Sequence, residues 1–446
     1  MSNRQPIPLT QSAPRPSACP GLLRIVPARD GGICRVRLAC GQLSAAQARA
    51  IAAAASAHGS GVIEITNRAN LQLRGIRAEA ADALIGALMD AGLGPANAGS
   101  DDVRNLLVSP SFGIDPAALC DTAALAAQLL EHLQSEPRFH ALSPKFALQL
   151  DGGESTAMLE HAHDVWLSAL PDGRFAFGFA GCPQIAQGAI PAEQALAFID
   201  AALQVFLEVA RAEQTRMRDL LAELPIDDLL ARIAARSSCR ITALPEWRRQ
   251  PSAAFAHIGA QAQRQGGLNW LGAKPALGRL DAQQLRALAA IAEHSGDGQV
   301  RLTPYQSVLL PNIPAGQAQR ILEELRRLGF AVAADEPLAR TIACSGSAGC
   351  AKGRADTKAD ALQLAQRLGE QRVLVDVHLS GCERSCAAAH TAPFTLLAQA
   401  PGRYRLFRRS ERDVGFGDVI AEEVDIEEAV AVLRIVGSDS IAGNRV

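Results

Sequence analysis

The chain predicts a mixed α/β (α+β) fold built twice over, each copy a small strand–helix–strand unit followed by a larger α/β lobe. Three observations predict it. Turn glycines, strand ends and helix caps recur at one constant offset of 237 residues. Short alternating apolar runs take turns with stretches of helical apolar spacing. The 446 residues, 48% hydrophobic, are also more than one core holds and enough for several.

Residues 1–18 are polar and rich in Pro, Ser and Gln, and lack the apolar core of a signal peptide, so a disordered lead-in is expected there. The first half-domain covers 19–94. Cys19-Pro20-Gly21 opens it, and 33–38 alternates as a strand does. A helix is expected over 44–57 with Ser44 as its N-cap, then a turn at Gly59-Ser60-Gly61 and a strand over 62–66. Asn67-Arg68-Ala69-Asn70 forms the next loop, followed by a strand at 71–73 and a helix over 79–91 closed by Gly92.

The pattern returns in a second half-domain, 241–335. Gly41 to Ala45 matches Gly278 to Ala282, Gly59 and Gly61 match Gly296 and Gly298, Thr66 matches Thr303, and Gly92 matches Gly329. Chance similarity between alanine-rich helices does not preserve turn glycines and a strand-end threonine together, so the chain is internally duplicated. The lobes, 95–240 and 336–446, continue the repeat: 102–109 aligns with 338–345, setting Val108 opposite Cys344, and 145–150 answers 372–379. A helical stretch, 191–237, leads into the second half.

Four of the ten cysteines carry the chemistry. Cys344 and Cys350 form one pair, Cys382 and Cys386 another, each in a glycine-containing turn after an apolar run. Such turns let four thiolates converge, and the wide first pair favours a [4Fe–4S] cubane over zinc, whose structural sites use closer pairs. Paired cysteines of this kind read as metal ligands of a cytoplasmic protein rather than as disulfides. Cys34, Cys40, Cys120, Cys182 and Cys239 read as small packing residues.

Composition excludes other classes. Net charge is −2 with no sustained Lys/Arg run, which argues against nucleic acid as a partner. No apolar stretch of about 18 residues is present, so no membrane span is expected. No Gly-x-Gly-x-x-Gly follows a strand, so reducing equivalents are expected through a separate reductase or electron carrier.

The cysteine pattern resembles the cluster site of the sulfite and nitrite reductase family, and the likeness runs over about 19–410. It implies paired ferredoxin-like half-domains and two α/β lobes around a tetrapyrrole cleft, with the last cysteine bridging the cluster to a sirohaem. In that comparison Arg68 takes the place of an arginine that contacts tetrapyrrole and anion, with Arg74 closing the same segment. Arg104 matches a second anion-binding arginine. Lys145 matches the first lysine of a Lys-x-Lys pair, but Ala147 stands where the second belongs. Bidentate guanidinium forks suit the many carboxylates of such a macrocycle. The missing lysine leaves a small-anion site short of one cation.

Cys19-Pro20-Gly21, Asp30 to Leu38, Thr66 to Gly75, Leu302 to Leu310 and His378 to Cys382 look like the precorrin-3B synthase branch of the family. That likeness implies hydroxylation of precorrin-3A at C-20 by O2 with γ-lactone formation, NADH as ultimate reductant, a non-haem iron besides the cluster, and no sirohaem. The alternatives are a sirohaem-dependent sulfite or nitrite reductase and an iron–sulfur electron carrier. Glu160, His161, His163 and Asp164 offer ligand types for an iron, though the alternation equally suits the entry to a strand. His378 and His390 flank the second cysteine pair, where they could tune the cluster or serve a turn. No pattern marks the iron ligands or a catalytic acid or base.

Overall fold

The computed structural model describes residues 19–388, 392–410 and 415–443, so the expected lead-in at 1–18 and His390 lie outside the described residues. The chain folds as two compact units. One holds 19–26 with 34–43 and 81–254; the other holds 27–33, 44–80 and the described residues from 255 onward.

The first unit is an α/β lobe. Strands Leu106–Val108, Leu148–Asp151 and His163–Ala169 run parallel, and Arg174–Gly181 and Gly188–Pro191 continue the sheet antiparallel. His163–Ala169 is buried along its whole length, as a strand covered on both faces must be. Helices Ala123–Ser135 and Ala195–Val209 bring Leu129, Leu133, Phe198 and Phe206 against Phe146, Leu150 and Phe177 of the sheet side. The helical stretch expected at 191–237 is three helices, Ala195–Val209, Met217–Leu221 and Ile226–Ser237. Pro225 caps the third and cannot continue the second.

The second unit contains the half-domain repeat. Helices Ala45–His58 and Ala282–Ser295 each start with a capping box, Ser44 with Gln47 and Asp281 with Gln284. Each stops at the glycine the sequence marked, Gly59 and Gly296. The loops that follow the next strands are also copies. Thr66 Oγ1 accepts from the N–H groups of Arg68 and Asn70, and Thr303 Oγ1 accepts from those of Tyr305 and Ser307. Each loop turns through a left-handed residue at the same place, Ala69 at φ 53° and Gln306 at φ 62°. The copies exchange a strand: Arg279–Leu280 pairs antiparallel with Ile63–Ile65, which pairs in turn with Leu71–Ile76.

The same unit carries the second lobe. Thr341–Ala343, Val377–Ser380 and Phe394–Ala400 run parallel, then Arg403–Arg408 and Asp418–Val424 antiparallel. Its strand order and directions repeat those of the first lobe. The strand expected over 372–379 begins only at Val377, because Arg372 turns left-handed at φ 56° to end helix Thr357–Glu370. Leu364 and Leu368 of that helix, with Leu433 of helix Ile426–Gly443, close the core over Leu379, Leu396 and Leu406.

Strand pairing corrects the alignment of the lobes by one residue. Val108 lies beside Leu150 as Ala343 lies beside Leu379, so Ser109, not Val108, is the counterpart of Cys344. Counting on from there, Asp115 stands for Cys350, and Gly153 and Ala157 stand for Cys382 and Cys386. Where the second lobe has thiols the first has a closed polar knot. Asp115 accepts from Ser111 Oγ, Ser155 Oγ and the N–H groups of Ser155 and Ala117.

Candidate metal centre and anion site

The first cysteine pair sits in a loop that glycine alone permits. Gly346 is left-handed at φ 58°, and a Cβ there would collide with the Thr357 N–H. A Cβ on Gly353 would collide with the Gly346 backbone, so segments 344–350 and 353–357 lie against each other with no side chain between. The second pair approaches from the end of strand Val377–Ser380. Gly381 N donates to Cys344 Sγ at 3.1 Å, and a Cβ on Gly381 would reach that sulfur at 3.3 Å. Desolvation, then the neighbouring Cys382, Cys344 and Cys350, push the Cys386 thiol up.

Four thiols carried on two turns are the donor chemistry of a [4Fe–4S] cluster. A zinc ion with Zn–S of about 2.3 Å would need its sulfurs within roughly 4 Å of each other. Among the described residues no three His, Cys, Asp or Glu side chains are placed to hold one metal ion. Four thiolates of a cubane bind separate irons and stand further apart.

Both copied loops reach the Cys386 turn. Asn67 Nδ2 donates to Cys386 O at 3.4 Å and Gln306 Nε2 to Ala387 O at 3.1 Å. Arg68, half-buried, follows Asn67 in the first loop, and Tyr305 occupies its repeat position in the second. Tyr305 stacks on His257 with ring centroids 4.1 Å apart, His257 on Phe255, and Phe255 lies under the Arg340 guanidinium. The repeat offset that aligned Thr66 with Thr303 would have singled out Tyr305.

Arg74 is 3% exposed and spends its guanidinium inside the protein. It makes a bidentate pair with Asp30, bonds Glu64, and donates to Gly349 O beside Cys350. Its structural work is to fix the first cysteine loop onto the half-domain. Arg104 and Lys145 belong to the first unit. Arg104 donates to Leu93 O, Gly94 O and Asp101, while its Nε is buried without a hydrogen-bond partner among the described residues. Lys145 is exposed, and Ala147 after it is buried, its N–H held by Asp164.

The 160–164 group does not fit an iron site. Both oxygens of Asp164 accept from Arg216, and they also take the N–H groups of Met217 and Ala147. Glu160 is exposed while His161 and His163 are buried.

Cations at one repeat position anchor the entry to each lobe. Arg37, 1% exposed, bonds Asp101 O and Asn105 in the first unit. Lys274, 237 residues later, donates to Ala339 O and Thr341 O at the strand that leads to Cys344. Burial pushes the Lys274 amine down to about 8, against the pull of Asp376. Neither residue is marked in the sequence, because each partner is a backbone carbonyl or a distant side chain.

Comparison with known proteins places these features in context. Residues 26–91 and 261–328 match the nitrite/sulfite reductase ferredoxin-like half domain, and 99–241 match the nitrite and sulphite reductase 4Fe-4S domain. The latter match falls on the lobe without the cysteine pairs, whose strand order the cysteine-bearing lobe repeats. A ferredoxin–nitrite reductase of Synechococcus elongatus is 30% identical over 391 residues, covering 81% of this chain and 75% of that protein. The chloroplastic ferredoxin–nitrite reductase of Zea mays is 28% identical, covering 80% of this chain and 68% of its own. A precorrin-3B synthase of Sinorhizobium is 28% identical over 444 residues, covering 97% of this chain and 92% of that protein. The solved structure of Mycobacterium tuberculosis NirA superimposes with a TM-score of 0.76 at 22% identity, over 91% of this chain and 80% of that one, and so shares the fold.

Proposed function

The chain belongs to the nitrite and sulfite reductase family, and within it we propose that it acts as a precorrin-3B synthase, a monooxygenase that hydroxylates precorrin-3A at C-20 and closes a γ-lactone. The observation that carries this reading is the length of the match. The Sinorhizobium synthase matches over 97% of this chain and 92% of its own length, whereas the nitrite reductases, at similar identity, match over 80–81% of this chain. Ala147 supports it from the site side. A small inorganic anion needs several cations around it, and here a buried alanine stands where a reductase of this family would have its second lysine.

Cys344, Cys350, Cys382 and Cys386 would hold the [4Fe–4S] cluster, which when bound passes single electrons to the reacting centre. The chain's own residues bind and orient. In the second unit Arg68, on a loop made rigid by Thr66, is the proposed fork for a substrate carboxylate; in the first unit Arg104 and Lys145 are proposed as substrate-binding cations. The Tyr305 ring, held flat by His257, is available as a platform for a planar ligand. NADH would act through a separate reductase or carrier, and among the described residues no set of side chains is grouped to hold the non-haem iron.

The test is an absorption spectrum and iron, sulfide and tetrapyrrole content of anaerobically purified protein, followed by titration with a metal-free uroporphyrinoid. The reading expects cluster absorbance without sirohaem and a saturable uroporphyrinoid complex. Stoichiometric sirohaem with turnover of nitrite or sulfite would assign the chain to the reductases, the reading that the nitrite reductase matches favour. A cluster with neither pigment nor uroporphyrinoid binding would leave an electron carrier.

A further inference from the structure

Behind the first cysteine loop lies a knot of buried charge that the cluster ligands and the substrate clamps do not account for. At its centre is Glu64, 6% exposed in strand Ile63–Ile65. Arg279 Nη2 reaches one of its oxygens at 2.7 Å, and Arg74 Nη1 and Ser345 Oγ reach the other at 3.2 and 3.3 Å. The fourth member, Lys358, is 8% exposed and donates to Leu277 O at 2.6 Å.

The knot grips the loop beside both cysteines of the pair. Ser345 adjoins Cys344, and Gly349, whose carbonyl accepts from Arg74 at 2.9 Å, adjoins Cys350. Thr357, the neighbour of Lys358, donates to Cys344 O at 2.8 Å and lies 3.4 Å from Cys344 Sγ. Lys358 stands within electrostatic reach of that sulfur and of Glu64.

Nothing local favours a lysine here. It is the second residue of helix Thr357–Glu370, where the helix dipole is already positive, and it is buried. Burial pushes the Lys358 amine down to about 8, against the pull of Glu64, and the ammonium remains the main form at neutral pH. Glu64, which burial alone would push up, is held at about 2 by Lys358, Arg74 and Arg279. A knot built to stabilise the fold would be cheaper as well-packed apolar residues. Fixed charges beside a redox centre have another effect, because the potential of an iron–sulfur cluster follows the net charge around it.

We propose that the buried knot of Glu64, Arg74, Arg279 and Lys358 sets the reduction potential of the cluster, with Lys358 as the positioning charge that raises it and Glu64 as the charge that lowers it. The inference rests on ligation by Cys344, Cys350, Cys382 and Cys386. Reduction transfers one electron from a low-potential one-electron donor, breaks no bond and adds one negative charge to the cluster. The Lys358 ammonium stabilises that added charge, and the Glu64 carboxylate opposes it. Ser345, the residue after Cys344, ties Glu64 to the loop, and the Leu277 carbonyl and the neighbouring Thr357, bonded to Cys344 O, hold Lys358 in place.

The experiment is a dithionite titration of the purified, cluster-loaded protein, with the reduced cluster read by electron paramagnetic resonance, on wild type, Lys358→Met, Glu64→Gln and Arg279→Gln. Lys358→Met is expected to lower the reduced-to-oxidised ratio at fixed potential about tenfold, a shift of about 59 mV for one electron. Glu64→Gln is expected to move it the other way, and Arg279→Gln, whose guanidinium is 36% exposed, to lower it by less. Unchanged potentials, or Lys358→Met and Glu64→Gln moving in the same direction, overturn the proposal. Should Lys358→Met not retain iron and sulfide, Glu64→Gln and Arg279→Gln decide it, and opposite signs are required. A wild type without iron and sulfide would overturn the ligand assignment itself, and this inference with it.

Discussion

Replacing Glu64 by Gln keeps the shape of the side chain and removes the one anion that three cations share. Arg74 keeps its bidentate pair with Asp30, and Arg279 is partly solvated, so the uncompensated charge falls mainly on Lys358. Removing one member of a buried ionic group costs roughly 3–5 kcal/mol, and these two reliefs put the expectation near the lower end. The carboxyl itself gives a similar figure. Its shift from 4.5 to about 2 corresponds to about 3 kcal/mol of native-state stability. Because the folded pKa is depressed, that stability is fully present above pH 4.5 and is lost as pH falls through about 2. Hydrogen exchange read by mass spectrometry reports the second unit locally. At neutral pH the N–H groups of strand Ile63–Ile65 should exchange about a hundredfold faster in Glu64→Gln, and the gap from wild type should narrow as pH falls from 4.5 towards 2. Equal protection in the two proteins at neutral pH would refute the reasoning.

Other substitutions test other parts. Changing any one of Cys344, Cys350, Cys382 or Cys386 to Ser should abolish turnover and most of the cluster absorbance, since a hydroxyl replaces a thiolate poorly; full iron and sulfide in Cys344→Ser would contradict the ligand set. Arg68→Ala and Arg104→Ala should each weaken uroporphyrinoid binding by about 2–4 kcal/mol while leaving iron content unchanged, checked by fluorescence titration. Gly349→Ala puts a Cβ into the Arg74 guanidinium and should break its bond to the 349 carbonyl. The expected cost is about 1.5–3 kcal/mol, seen as faster loss of iron to a chelator, with unchanged loss rates counting against it.

Much of the fold was legible because it is written in turn chemistry. Ser44, Asp281, Thr66, Thr303, Gly59 and Gly296 make the same caps and turns in both copies, so a constant offset in the sequence became a repeat in space. The lobes slipped by one residue in the reading, since Leu106–Val108 and Thr341–Ala343 are short buried strands with nothing to mark register. At the site, the cysteine pairs announce themselves through spacing. Arg74 does not, because its partners Asp30 and Gly349 are 44 and 275 residues away, and a loop arginine looks alike whether it faces ligand or protein. Lys358 was invisible for a related reason: a lysine in the first turn of a helix reads as solvated until folding sets Glu64 near it.

The central claim is that this chain uses the family fold to hold a tetrapyrrole as substrate and to oxygenate it. The most direct measurement is a single incubation of cluster-loaded protein with precorrin-3A, a reductant and isotopically labelled dioxygen, with the product analysed by mass spectrometry. The account predicts one labelled oxygen atom in the hydroxyl at C-20, oxygen uptake that depends on precorrin-3A, and no sirohaem in the enzyme. Unlabelled or unconverted precorrin-3A, from a protein that carries sirohaem and reduces nitrite or sulfite, would contradict it.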